Sequence, residues 1–161
     1  MEADIRRFQS KLRTSGFAVI AFGVWTIVRF VLMRYVNPIA YQALVEAPNE
    51  FGYNPKIYEM IVFTLAVAIL CVDLLLRLSI GCSAIKESQG KKKRMTYVIL
   101  ALLYAVFSVI SDVTFLVSAE RQDLTLEILS GIIVNLTSEI ALFEIVVSSI
   151  RLRLAEKGQE A

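Results

Sequence analysis

The stretch Thr96–Val117, TYVILALLYAVFSVISDVTFLV, decides the fold. It runs for 22 residues with Asp112 as its single charge and without proline or glycine. At about 1.5 Å per residue, a helix of that length crosses the roughly 30 Å hydrocarbon core of a bilayer. The run is continuous rather than alternating and is far longer than a barrel strand, so a helix is expected and not a strand. Immediately before it stand Lys91, Lys92, Lys93 and Arg94, the kind of flank that holds a helix end in the cytosol.

Three further stretches have spanning length: Gly16–Val36, with Arg29 and Arg34; Lys56–Ile80, with Asp73 and Arg77; and Leu126–Ile150, with Glu139 and Glu144. The whole chain of 161 residues is 57% hydrophobic, and its mean hydropathy is +0.63. A soluble domain of this size has no interior large enough to hide that much apolar surface. With 7 Gly, 3 Pro and 2 Cys, the composition also excludes a collagen-like fibre and a disulfide scaffold. The expectation is an all-α fold, a four-helix transmembrane bundle forming one integral membrane domain over 1–161, preceded by a short amphipathic N-terminal arm.

Charge sets the expected orientation. Twelve Lys and Arg lie in the N-terminal arm, the middle loop and the C-terminal tail, against Lys56 and Arg121 in the other two loops. Both termini are therefore expected in the cytoplasm, and the opposite side is acidic, with Glu46, Glu50, Glu59, Glu120, Asp123 and Glu127. The first apolar run, interrupted by Arg29, reads as a retained anchor and not a cleaved signal peptide. Ahead of it, Ile5, Phe8 and Leu12 fall at helical spacing among basic residues, which fits either an interfacial helix or a frayed tail. The longest connection, Asn37 to Pro55, has room for one short helix over Ile39–Glu46, and Asn54-Pro55 reads as a helix N-cap followed by a first-turn proline. The triplet Asn135-Leu136-Thr137 lies inside a span, and no outer loop carries a glycosylation sequon. A cell membrane, of the bacterial cytoplasmic kind, is the expected location.

The charges within the spans need explaining, since one at mid-membrane costs at least about 2.5–3.5 kcal/mol on insertion scales. By helical rise, Arg29 and Asp112 fall at similar depth in the outer half, Asp73, Arg77 and Glu144 in the inner half, and Glu139 near the middle. The simplest pairing joins Arg29 to Asp112, and Arg77 to Asp73 or Glu144. Trp25, four residues before Arg29, is placed to lie against its guanidinium, and Arg34 is near enough to the outer edge to snorkel out. Four acids then face two bases, so some carboxylates are expected to be protonated or to hold water or a cation.

Small and polar residues form stripes at helical spacing: Ala101, Ala105, Ser108 and Asp112 on the third span, and Gly131, Asn135, Ser138 and Glu139 on the fourth. Thr137, Ala141, Glu144 and Ser148 make a second face on the fourth span, which suits a central helix. Arg29, Asp73, Arg77, Asp112, Asn135, Glu139 and Glu144 are thus the candidate polar-network residues. Their plain structural role is to fix helix partners; their functional alternative is an ion or proton path.

The absence of histidine from the sequence removes histidine-based triads, zincin motifs and histidine haem ligation. No phosphate-binding glycine loop is present, and Cys71 and Cys82, eleven apart, are expected to be reduced packing residues. A voltage sensor would need several arginines at every third position of one helix, and no span has them. No cofactor, metal, enzymatic activity or nucleic-acid partner is expected. The basic run Lys91–Arg94 is read as topological, with anionic lipid contact as a by-product. The expected function is that of a non-enzymatic accessory, regulatory or structural membrane subunit, homo-oligomeric or joined to a membrane partner. The alternative is a small oligomeric cation- or proton-linked transporter or channel using the buried carboxylates.

Overall fold

The computed structural model describes residues 2–36, 55–91, 94–118 and 126–160. They form four α-helices in the order α1 (Glu2–Val36), α2 (Pro55–Ser88), α3 (Thr96–Ser118) and α4 (Leu126–Glu160). All four are long and apolar enough to cross a membrane. The expected short helix at Ile39–Glu46, the Asn54 cap, residues 119–125, and Lys92 and Lys93 lie outside the described residues.

Three helices outrun their apolar stretches. Hydropathy falls at Ile80 and Ile150, but the backbone ladder goes on to Ser88 in α2 and Glu160 in α4. α1 already begins at Glu2, so the N-terminal arm is continuous with the first span. At about 1.5 Å per residue, helices of 34 and 35 residues are about 50 Å long. That exceeds the ~30 Å apolar thickness by several turns.

A Schellman motif terminates α2. Lys91 N donates to the Lys86 carbonyl (3.2 Å), and Gly90 N donates to the Glu87 carbonyl (2.9 Å). Gly90 takes a φ of 79°, the left-handed conformation that glycine reaches without a Cβ clash. The Ser88 hydroxyl caps the Ile85 carbonyl at 2.7 Å.

The chain forms two compact units. Unit 1 comprises Met1–Phe22 with Leu78–Ala161, and unit 2 comprises Gly23–Arg77. In unit 1 the buried cluster draws Leu12 and Val19 from α1, Ile80 and Ala84 from α2, Tyr97, Val98, Ala101 and Ala105 from α3, and Leu142, Ile145, Val146 and Leu152 from α4. Ile5 and Phe8 pack against this cluster. The apolar face of the arm is thus partly covered by protein, and its helix is formed from Glu2 rather than frayed. Over its most apolar 18 residues α4 is 39% buried, against 6–17% in the other three helices.

Backbone contact sets the α1–α2 crossing in unit 1. A Cβ at Gly81 would meet the Gly16 carbonyl at 2.7 Å and Ile20 Cγ1 at 2.6 Å. Only glycine allows the two helices this close. In unit 2, Gly23 faces Leu74 and the aliphatic stem of Arg77, while Phe30 stacks on Phe63 with centroids 6.1 Å apart. Rising numbers on α1 meet falling numbers on α2, so the pair is antiparallel.

Much of the surface of the spanning stretches is apolar. Leu65, Ile69, Leu75, Leu103, Phe107, Ile110, Ile133 and Ile140 are all exposed. Thr64, Thr114 and Thr137, also outward-facing, each donate to the carbonyl four residues back at 2.8 Å. This satisfies their hydroxyls without water.

Candidate polar network

Among the described residues of unit 1, a polar cluster surrounds Glu87, one residue before α2 ends. Its carboxylate accepts from Arg153 Nε at Oε1 (2.7 Å) and from Arg153 Nη2 at Oε2 (3.0 Å). The Ser149 hydroxyl donates to Oε1 at 3.1 Å, and the Tyr97 hydroxyl donates to Oε2. The hydroxyl oxygens of Tyr97 and Ser149 lie 3.1 Å apart. Glu87, Tyr97 and Ser149 are buried. The remaining Arg153 edge reaches outward, with Nη1 at 3.0 Å from Met95 Sδ. A carboxylate held by a guanidinium fork and two hydroxyls has its lone pairs well used, which offsets the cost of burying its charge. The cluster ties α2, α3 and α4 together.

Sequence reasoning missed this cluster. Glu87 falls in the polar run IKESQGKKKR, which reads as a solvated loop, and its partners come from two other helices. One signal was present: Ser149 and Arg153 are four apart and so share a face of α4.

A second cluster joins α1 to α4. Glu144 accepts from Ser15 Oγ at 2.9 Å and from Lys11 Nζ at 3.1 Å. Glu144 was an alternative partner for Arg77; its ligands instead come from the N-terminal arm. Arg77 meets Asp73 on its own helix, with Nε at 3.0 Å from Oδ2 and 3.2 Å from Oδ1. Both belong to unit 2.

Asp112 and Asn135 link α3 to α4, the amide Nδ2 donating to Oδ1 at 3.4 Å. Along the same seam Ala101 and Ala105 are fully buried, as the small-residue stripe of α3 requires. Glu139 is 3% exposed, beside the buried Ser138. Of the second α4 face, Ser148 is buried and Thr137 points outward. Arg29 is half-buried in unit 2, and Trp25 is largely exposed. Arg34, expected to snorkel, lies over the Phe63 ring, 4.2 Å from its centroid.

Cys71 and Cys82 are exposed thiols and not packing residues. Among the described residues no group of three or more acidic or thiol side chains is placed to hold a metal ion. The chemistry available to these clusters is proton and charge accommodation between helices. No protein family, curated protein or solved structure matches this chain.

Proposed function

We propose that this chain is a multi-pass integral membrane protein, both termini cytoplasmic, that acts without catalysis as an accessory or structural subunit through helix contacts. One observation carries the reading: polar side chains in unit 1 are spent on joining helices. Glu87 gathers donors from α3 and α4, Glu144 gathers donors from α1, and Asp112 takes its amide from α4. Such contacts specify helix partners in an apolar solvent. The apolar exterior and the four spanning-length helices supply that solvent's counterpart. The twelve-to-two bias of Lys and Arg supports the orientation. Exposed Lys91 and Arg94 then lie among anionic headgroups together with Lys92 and Lys93, as an electrostatic by-product of topology.

The buried Glu139 favours a competing reading, a proton- or cation-linked transporter. Reconstitution into liposomes containing a pH-sensitive dye separates the two. The subunit reading expects proton and cation flux equal to that of empty liposomes, and a defined assembly, with itself or with a second membrane protein, on native electrophoresis of cross-linked membranes. Flux that Glu139→Gln abolishes, with the assembly size unchanged, would overturn it in favour of transport.

A further inference from the structure

Met95 stands where the chain enters α3, beside the cluster around Glu87. Its carbonyl accepts from Val98 N at 3.0 Å and from Ile99 N at 3.1 Å, so its backbone is fixed by the first turn of that helix. Its side chain is 45% exposed. The sulfur nevertheless has a set neighbour. Arg153 Nη1 lies 3.0 Å from Sδ, while Nε and Nη2 of the same guanidinium hold the Glu87 carboxylate. One arginine thus turns two donors to a buried acid and a third to an accessible thioether. All of these residues belong to unit 1.

This donor suits the oxide of methionine better than methionine itself. A thioether sulfur is a weak acceptor. A sulfoxide oxygen carries the negative end of a strong dipole, and a guanidinium donor makes its hydrogen bond charge-assisted. Methionine oxidation is usually disruptive because it puts that dipole into an apolar core. At Met95 the side chain is already nearly half exposed, so little burial opposes the change. We infer that Met95 is a reversible oxidation site, at which a peroxide forms a sulfoxide that Arg153 binds, fastening the start of α3 more firmly to α4. A sulfur lone pair attacks one oxygen of hydrogen peroxide; the S–O bond forms as the O–O bond breaks. Sulfur gives up two electrons, and the proton on the transferred oxygen passes to the departing one, which leaves as water. Rotation about the three torsions of the side chain then turns the new oxygen to Nη1. A methionine sulfoxide reductase reverses the step, removing the oxygen as water while a dithiol becomes a disulfide. The inference goes beyond the subunit reading and does not depend on it.

The test uses the full chain with Met33→Leu and Met60→Leu, which leaves Met95 as the only methionine after Met1. The protein is treated with hydrogen peroxide in detergent, and peptide mass spectrometry follows the oxygen gained at Met95. The oxidised protein should melt about 2–4 °C higher, the shift that one added hydrogen bond gives a chain of this length. Methionine sulfoxide reductases of both epimer specificities, with dithiothreitol, should return it to the starting value. Adding Met95→Leu should abolish the response to peroxide although Met1, Cys71 and Cys82 remain. Adding Arg153→Leu should abolish the gain, read as the difference between oxidised and reduced protein. Met95→Gln offers an amide oxygen to the same donor without oxidation, and it should melt above Met95→Leu. An oxidised protein that melts at or below the reduced one would overturn the inference, as would a gain that persists in Arg153→Leu or a Met95 that peroxide does not modify. Met95→Gln melting no higher than Met95→Leu would do the same, and that comparison stands even where Arg153→Leu fails to fold.

Discussion

Arg153 grips Glu87 through two parallel contacts, Nε to Oε1 at 2.7 Å and Nη2 to Oε2 at 3.0 Å, and so pins the end of α2 to the tail of α4. The fork is the planar geometry in which arginine outperforms lysine. It also explains why α2 remains helical eight residues beyond its apolar stretch. Glu87 must be presented from an ordered helix, and the Gly90 turn directly after it directs the chain into α3.

Truncating Glu87 should therefore cost much more than an ordinary surface change. Glu87→Ala leaves the Tyr97 and Ser149 hydroxyls and the Arg153 fork without their common acceptor, so we expect a loss of about 3–5 kcal/mol. Tyr97→Phe removes one hydroxyl donor and should cost about 1–3 kcal/mol. Arg153→Lys should fall between them, since it keeps the charge but loses the fork. Thermal unfolding followed by size-exclusion fluorescence in detergent ranks the three. Glu87→Ala as stable as the parent would show that the cluster contributes nothing.

The Gly16–Gly81 crossing should be equally intolerant, for a steric reason. A methyl group at position 81 meets a backbone carbonyl at 2.7 Å, an atom that cannot turn aside as a side-chain tip can. Gly81→Ala should thus cost about 1–3 kcal/mol through overpacking. Gly158→Ala is the control. Nothing lies within 4 Å of its added Cβ, and it sits in the helical tail of α4. It should be neutral or stabilising by up to about 1 kcal/mol. Equal melting temperatures for the two variants would refute the close-packed crossing.

The contrast between these two sites and the four spans indicates what was legible in the sequence. The spans could be read because hydropathy sums over some twenty residues, and a lone Asp112 does not erase it. Helix ends could not, because hydropathy reports the solvent while hydrogen bonding continues past it, to Ser88 and Glu160. The Asp73–Arg77 contact was readable from its spacing of four. Glu87 with Tyr97, Ser149 and Arg153 was not, because its partners are brought together only by the tertiary packing of three helices. Nothing in the sequence joins Gly16 to Gly81 for the same reason: 65 positions separate them, and only the crossing makes them a pair.

Lys11 and Glu144 should behave differently from the Glu87 cluster although their distances are similar. Their side chains are 46% and 40% exposed, so water and salt screen the contact. Lys11→Ala should change stability by no more than about 1 kcal/mol, and the difference should vanish at about 1 M salt, where screening acts within about 3 Å. Ser15 is buried beneath the same carboxylate, so the effect of Ser15→Ala should persist at high salt. A Lys11 effect that salt leaves untouched would contradict the screened geometry.

Asp73 and Arg77 provide the sharpest test of whether intramembrane charges join helices or carry protons. Their side chains are only 19% and 8% exposed, and Arg77 Nε lies 3.0 Å from Asp73 Oδ2. Asp73→Leu alone takes that carboxylate from a nearly buried guanidinium and should cost about 3–5 kcal/mol. The double variant Asp73→Leu with Arg77→Leu replaces both charges with apolar volume inside a spanning helix, and it should recover most of the loss. A relay carboxylate predicts the reverse pattern: the single change folds normally but alters flux, and the second change restores nothing. Denaturation of both variants in detergent, alongside dye flux in liposomes, distinguishes the outcomes. A double variant less stable than Asp73→Leu would show that the burial of Arg77 does not depend on the Asp73 carboxylate, and the pair would lose its structural role.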